Sequence, residues 1–329
     1  MSREEIELRR KDGLAAAAYF EQCHDWSSFS EALDGYASLS ARVNAFDDVL
    51  AATTRRLQTP QLSLKERGDA YNVIASVYYR IGNYSKCIAT IQDALAQRRP
   101  GESLVHFGAG PSLAIGASFL GGRWGELNNL FAILKEIWEQ IQHDPASAFF
   151  VVDGYFSILQ LALAREDRAL ADAAISVFSR VFPDSTSKPR LILSAYREDD
   201  PMKINFELSP TDRLERGLAL AVIMFFNEHG VHSSDSLLSL VSTPSFSSDV
   251  AFRCHEIAQA LATNDNTRLA IAIDEAEKHH LIVHAARMRI ILAQRIKDRT
   301  QLERARTVLE GLGDRQFLRR LEEAKILFG

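Results

Sequence analysis

Apolar residues recur at helical spacing almost from end to end of the chain, and the alternation that marks strands is nearly absent. Ser2 with Glu5 forms a capping-box signature ahead of a first helix bearing Leu14, Ala15, Ala18 and Tyr19. Asp25-Trp26 opens a second, carrying Phe29, Ala32, Leu33 and Tyr36. A third spans 43–57 with Phe46, Val49 and Leu50 inward, and Thr59-Pro60 stops it. Paired helices follow over 66–81 and 84–97, 111–120 and 124–141, and 148–164 and 168–182. Their punctuation is Arg99-Pro100-Gly101, Gly121-Gly122, Asp144-Pro145 and Pro183.

Residues 184–210 break this rhythm with Lys188-Pro189, the acidic knot Glu198-Asp199-Asp200-Pro201 and an extended-looking Ile204-Asn205-Phe206. They read as an irregular linker or loop. A helix over 211–229, apolar on nearly all sides, restarts the order as an element buried between neighbours. A short helix at 237–241 lies between serine-rich breaks at 233–234 and 242–248. Five helices then carry in turn Cys254 with Ile257, Leu269 with Ile273, Val283 with Ile290, Leu302 with Leu309, and Phe317 with Leu321 and Phe328. The pattern predicts an all-α fold: an α-solenoid of stacked antiparallel helical hairpins, with arrays at 1–183 and 211–329 flanking 184–210.

Composition narrows the class. At 47% hydrophobic and 25% charged the chain can bury a substantial core, and a net charge of −5 argues against nucleic acid as a partner. Three well-separated cysteines, Cys23, Cys87 and Cys254, each in an apolar helical pattern, fit reduced thiols in a cytoplasmic protein. The charged N-terminus has no signal-peptide core, and the longest apolar run, 218–226, is about half of a membrane span.

Residues 69–100 resemble a tetratricopeptide repeat. Tyr71, Ile74, Ala75 and Tyr78 stand at its first-helix positions, Gly82 at its turn, and Asn83-Tyr84 just beyond. Cys87, Ile91 and Ala94 stand at its second-helix positions and Pro100 near its terminating proline. Weaker echoes are Gly122, Trp124, Leu127, Phe131 and Leu134; His24, Trp26, Phe29, Leu33 and Tyr36; and Ala171, Ile175 and Phe178. The C-terminal stretches 267–281 and 302–321 are similar to the last repeats of bacterial multidomain signalling ATPase regulators. No Gly-x4-Gly-Lys-[Ser/Thr] loop accompanies them. The resemblance implies a non-catalytic scaffold or sensor that binds a protein or peptide in a groove lined by first helices. Carried onto 69–100, the groove residues are Asp69, Asn72, Ser76, Tyr79 and Arg80. A ligand-responsive regulator with a small molecule or signal peptide in the interior, near Tyr71, Tyr78, Tyr79 and Trp124, is the alternative.

No residue set compels a catalytic reading, and no cofactor or metal is expected. His255-Glu256 lacks the second histidine of the zinc-protease helix, since Gln259 stands there. His279, His280 and His284 straddle a turn and read as partly exposed. Cys87 reads as core, and Cys23-His24 are helix neighbours that do not face each other. Gly108-Ala109-Gly110-Pro111 reads as a loop, Asp47-Asp48 and Glu322-Glu323 as solvated faces. Basic clusters at Arg9-Arg10-Lys11, at Arg287, Arg289, Arg295 and Lys297, and at Arg315, Arg319 and Arg320 also read as solvated faces. The apolar ending Lys325-Ile326-Leu327-Phe328-Gly329 leaves homo-oligomerisation open.

Overall fold

The computed structural model describes residues 2–60, 62–98, 102–144, 147–184, 188–208, 213–241 and 248–327. Pro100, Pro145, the serine-rich break at 242–247 and Phe328 lie outside the described residues. Among those described there is no strand. The helices are α1 (Arg3–Gln22), α2 (Trp26–Arg42), α3 (Phe46–Leu57), α4 (Leu64–Arg80), α5 (Tyr84–Ala96) and α6 (Gly110–Leu120). There follow α7 (Leu127–Ile141), α8 (Phe149–Ala164), α9 (Arg168–Val181), α10 (Lys188–Glu198), α11 (Arg213–Glu228) and α12 (Asp235–Val241). The last five are α13 (Asp249–Ala262), α14 (Asn266–Lys278), α15 (Ile282–Ile296), α16 (Arg299–Leu312) and α17 (Arg315–Ile326). None is long and apolar enough to cross a membrane.

One local device recurs between these helices. A residue with positive φ ends a helix, and the amide of the next residue donates to the carbonyl five positions earlier. Thus Gly82 has φ +75° and Asn83 N–H donates to Tyr78 O at 2.8 Å. Asp167 N–H reaches Ala162 O at the same distance, after Glu166 at φ 57°. The residue after the turn often starts the next helix as its cap: Asn83, Asp167, Asp265, Asp298 and Asp314 each accept an amide of the following turn. Ser63 and Glu66 form a reciprocal capping box on α4. Because Asn44 takes φ 58° after α2, the third helix starts at Phe46 and not at 43.

Packing follows chain order through α1 to α6, with α4 against α6 and α6 against α8. The chain then doubles back, so that α15 touches α6 and α17 touches α8. One apolar core runs from Ala75 through Trp138, Ile192 and Phe225 to Leu292; smaller clusters join α1 to α4 and α15 to α17.

Within 184–210, the described residues include a helix where composition suggests an irregular connection. Residues 188–198 form α10, with Ile192 and Ala195 fully buried and the Tyr196 hydroxyl donating to Ala221 O on α11. Its Lys188-Pro189 stands at the start of the helix, where proline costs no hydrogen bond. The glycines of 108–110 also have a packing reason: a Cβ on Gly110 would lie 2.3 Å from Asn72 Oδ1.

Candidate functional site

Helices α4, α6, α8 and α11 enclose a cleft of about 200 Å³. Tyr79 comes from α4, and Ser112, Gly116 and Phe119 from α6. Helix α8 supplies Asp153, Phe156, Ser157 and Gln160, and α11 supplies Leu220, Ala221 and Met224. The absence of a side chain at Gly116 admits the Tyr79 ring, since a Cβ there would sit 3.3 Å from Tyr79 Cε2. Asp153, Ser157 and Gln160 follow helical spacing, which lays a polar strip along one wall opposite the apolar face of α11. Among the described residues no cation or hydrogen-bond donor engages the Asp153 carboxylate. Asp153 is exposed along the cleft, and the helices around it withdraw enough water to raise its pKa to about 6. Burial, followed by the charge of Asp153, raises the Tyr79 phenol as well.

The far wall, α11, is fixed from behind by buried charges. Glu228, at its C-terminal end, accepts from His284 Nδ1 at 2.9 Å and from Arg287 Nη1 at 3.0 Å. Arg287 Nε donates to Asp314 at 2.9 Å, and its guanidinium lies 4.3 Å from the Phe317 ring centroid. Asp314 also caps α17 by accepting from Phe317 N–H at 3.1 Å. Burial works to raise the Glu228 pKa, but the charge of Arg287 and the His284 bond outweigh it and hold the carboxyl down to about 2. For Asp314, fully enclosed, burial prevails over Arg287 and the carboxyl is raised.

A second knot lies beside the first. His229 Nδ1 donates to Phe225 O at 2.7 Å, because a carbonyl can only accept. Its Nε2 faces Asp199 Oδ1 at 3.0 Å and the Arg320 guanidinium at 2.6 Å. Arg320 also donates to Asp199 and to Glu228 O at 3.2 Å, which satisfies a carbonyl at the end of α11. Asp199 is pulled down to about 2: burial opposes this, and the His229 bond and Arg320 overcome it.

Of the groove residues expected from the repeat pattern, Tyr79 lines the cleft and the others do not join it. Asp69 accepts from Arg56 at 2.6 Å. Arg80 donates to Asn44 at 2.9 Å and lies 4.8 Å from the Phe46 ring centroid, turned toward the α2–α3 connection. Asn72 packs against Gly108 and Gly110, while Ser76 is partly buried away from the cleft lining. Tyr71 accepts from Gln97, and Tyr78 lies under Lys86. Trp124 is buried and stacked on Phe119 at 5.5 Å.

Two charged clusters need correction. Arg287 and Arg289, read as solvated, are 3% and 2% exposed; Arg289 is bound by Gln301, Asp274 and Glu277. His284, read as partly exposed, is fully buried, whereas His279 meets Asp249 at 3.0 Å. Among the described residues no group of three His, Cys, Asp or Glu side chains is placed to hold a metal.

The sequence does carry a signal for the missed residues. Asp153 is the one acid in the largely apolar α8, and Glu228 with His229 stands just beyond the apolar run of α11, after Asn227. A charge on a largely apolar helix has to be paired when buried, as Glu228 is, or reach an opening, as Asp153 does. Compared with protein families, curated proteins and solved structures, the chain matches none.

Proposed function

We propose that the chain is a non-catalytic binding module, an α-solenoid of tetratricopeptide-like hairpins that receives a segment of a partner protein or peptide in the cleft between α8 and α11. The observation that carries this reading is the cleft itself, apolar on the α11 side and polar along Asp153, Ser157 and Gln160. Concave, mostly apolar sites with a few convergent polar groups are the usual form of a binding site. The Asp153 carboxylate, raised to about 6 by burial, marks the same place.

A ligand-responsive regulator is the second reading, and one feature favours it. Helix α11 walls the cleft with Ala221 and Met224 and, one turn on, meets His284 and Arg287 of α15 at Glu228 and Arg320 of α17 at Glu228 O and His229. An occupant that displaces α11 therefore bears on the contact between the two halves of the chain.

A photo-crosslinking residue at Ser157 tests the binding reading against one at Ser239, which is exposed on α12. Discrete adducts should form from 157 alone and disappear when Ala221→Phe fills the cleft. The same adducts from both positions, or adducts indifferent to Ala221→Phe, would count against the cleft.

A further inference from the structure

We infer that the occupant of the cleft is a basic side chain, lysine or arginine, presented by a partner peptide and received by the Asp153 carboxylate. This rests on the binding reading above and adds the chemistry of what is bound.

Three observations converge on it. The first is charge. Asp153 lies between helices with no cation paired to it among the described residues, whereas Glu228, Asp314 and Asp199 each have an arginine. Unlike the enclosed Glu228 and Asp314, Asp153 is exposed along the cleft, so a cation can reach its carboxylate from outside. Partial withdrawal from water by the surrounding helices raises its pKa to about 6, and an anionic occupant would raise it further.

The second is the division of the walls. Leu220, Ala221 and Met224 face the polar strip of α8 across the cleft. Lysine and arginine have this same division, an alkyl stem that prefers apolar surface and a head that requires an acceptor. Ser157 and Gln160, one and two turns along α8 from Asp153, offer further acceptors. The Tyr79 ring adds an aromatic wall of the kind that attracts organic cations.

The third is size. The cleft holds about 200 Å³, below the roughly 300–1,000 Å³ typical of sites that engulf a whole small ligand. A single side chain fits this space while the body of the ligand remains outside. That favours a side chain of a larger partner over a free metabolite.

The test uses acetylated, amidated peptides Ala-Leu-X-Leu-Ala with X as Lys, Arg, norleucine or Glu, together with n-butylammonium alone. Binding is followed by NMR on the full chain labelled at aspartate carboxyl carbon. The Lys and Arg peptides should bind, move the Asp153 signal and lower its pKa, while the Glu peptide should not bind. Affinity for the Lys peptide should be about tenfold weaker at pH 5 than at pH 7.5, because one unit below its pKa only about a tenth of the carboxylate remains ionised. Asp153→Asn should remove that pH dependence; the pH series on the unaltered chain stands whatever the variant does.

Norleucine binding as well as lysine would overturn the charge assignment and leave the cleft as a site. Butylammonium binding through Asp153 without any peptide binding would overturn the peptide source. If no probe binds, the basic-side-chain assignment fails, and the crosslinking at Ser157 decides separately whether the cleft is a site.

Discussion

Replacing Arg287 by methionine probes the knot that fixes α11. The side chain is 3% exposed, so water does not screen its pairs with Glu228 at 3.0 Å and Asp314 at 2.9 Å. Methionine keeps most of the stem but removes the guanidinium that lies over Phe317 and leaves two enclosed carboxylates without their cation. Breaking a buried ion pair in this way costs about 3–5 kcal/mol. Linkage sets a figure of the same order: lowering Glu228 from 4.5 to about 2, by Arg287 first and His284 beside it, corresponds to on the order of 3 kcal/mol. The two agree, and thermal unfolding followed by circular dichroism should show a midpoint lower by roughly 6–20 °C, at about 2–4 °C per kcal/mol. Adding Glu228→Gln and Asp314→Asn should recover most of that loss. The amide of Gln still accepts from His284, and Asn remains a good cap for α17. A single variant within about 1 kcal/mol of the parent, or a triple variant no better than the single, would refute the reasoning.

The same knot sets an acid limit. Glu228 is depressed in the folded state, so its contribution is present above its ordinary value of 4.5 and is lost as pH falls toward about 2. Asp199, held at about 2 from an ordinary 3.8, adds a loss over the lower part of that window. Asp314 has the opposite sign, since its raised carboxyl is protonated more readily folded than unfolded and partly offsets the loss. Acid unfolding of the parent should therefore fall mainly between pH 4.5 and 2, and Arg287→Met should unfold at higher pH than the parent.

Two further outcomes test the turns and the core. Gly82 and Gly313 have φ of +75° and +71°, but a Cβ on Gly82 would meet Asp249 Oδ2 at 3.1 Å while one on Gly313 would meet nothing within 4 Å. Gly313→Ala should cost about 1–2 kcal/mol in urea unfolding and Gly82→Ala more; equal losses would remove Asp249 from the account. Cys87 and Cys254 are buried with thiols raised by that burial, Cys87 to about 12, whereas Cys23 is exposed. A thiol reagent should accordingly titrate one cysteine in the native protein and three after denaturation, and rapid native reaction of Cys87 would show that its environment opens.

The helices were legible because each buries a periodic stripe, and the stripe is written in residue type alone. The turns were half legible. Glycine marks four of the left-handed turns, at Gly82, Gly122, Gly230 and Gly313, and a search for it finds those. At seven others among the described residues the same conformation is taken by His24, Asn44, Glu166, Asp199, Asn264, His280 and Lys297. Only Asn and Asp advertise a tolerance for it. The better signal was the residue after the turn, an Asp or Asn able to cap the next helix, as in Glu166-Asp167 and Lys297-Asp298. Residues 188–198 were misread for a related reason. Lys, Pro, Glu and Asp at the ends of a short helix outweigh, in composition, the few apolar positions Ile192, Leu193 and Tyr196 that bury it.

Pairing across the chain lay beyond what periodicity can express. A stripe specifies that a face is covered and is silent about what covers it, so Arg287 looked like any arginine on a helix beside Arg289 and Arg295. Glu228 is 59 residues away from it in sequence, and Arg320 is 121 from Asp199. What the sequence does state is an imbalance: an acid in apolar α8 and an acid–histidine pair at the end of apolar α11. The fold resolves the second with arginines brought from α15 and α17, and leaves Asp153 without an internal counter-ion among the described residues. Glu228 is enclosed and has to be paired inside the fold, whereas Asp153 is exposed along the cleft and can be met from outside. That difference in exposure is the physical reason to place the ligand's charge at Asp153 and the structural load at Glu228.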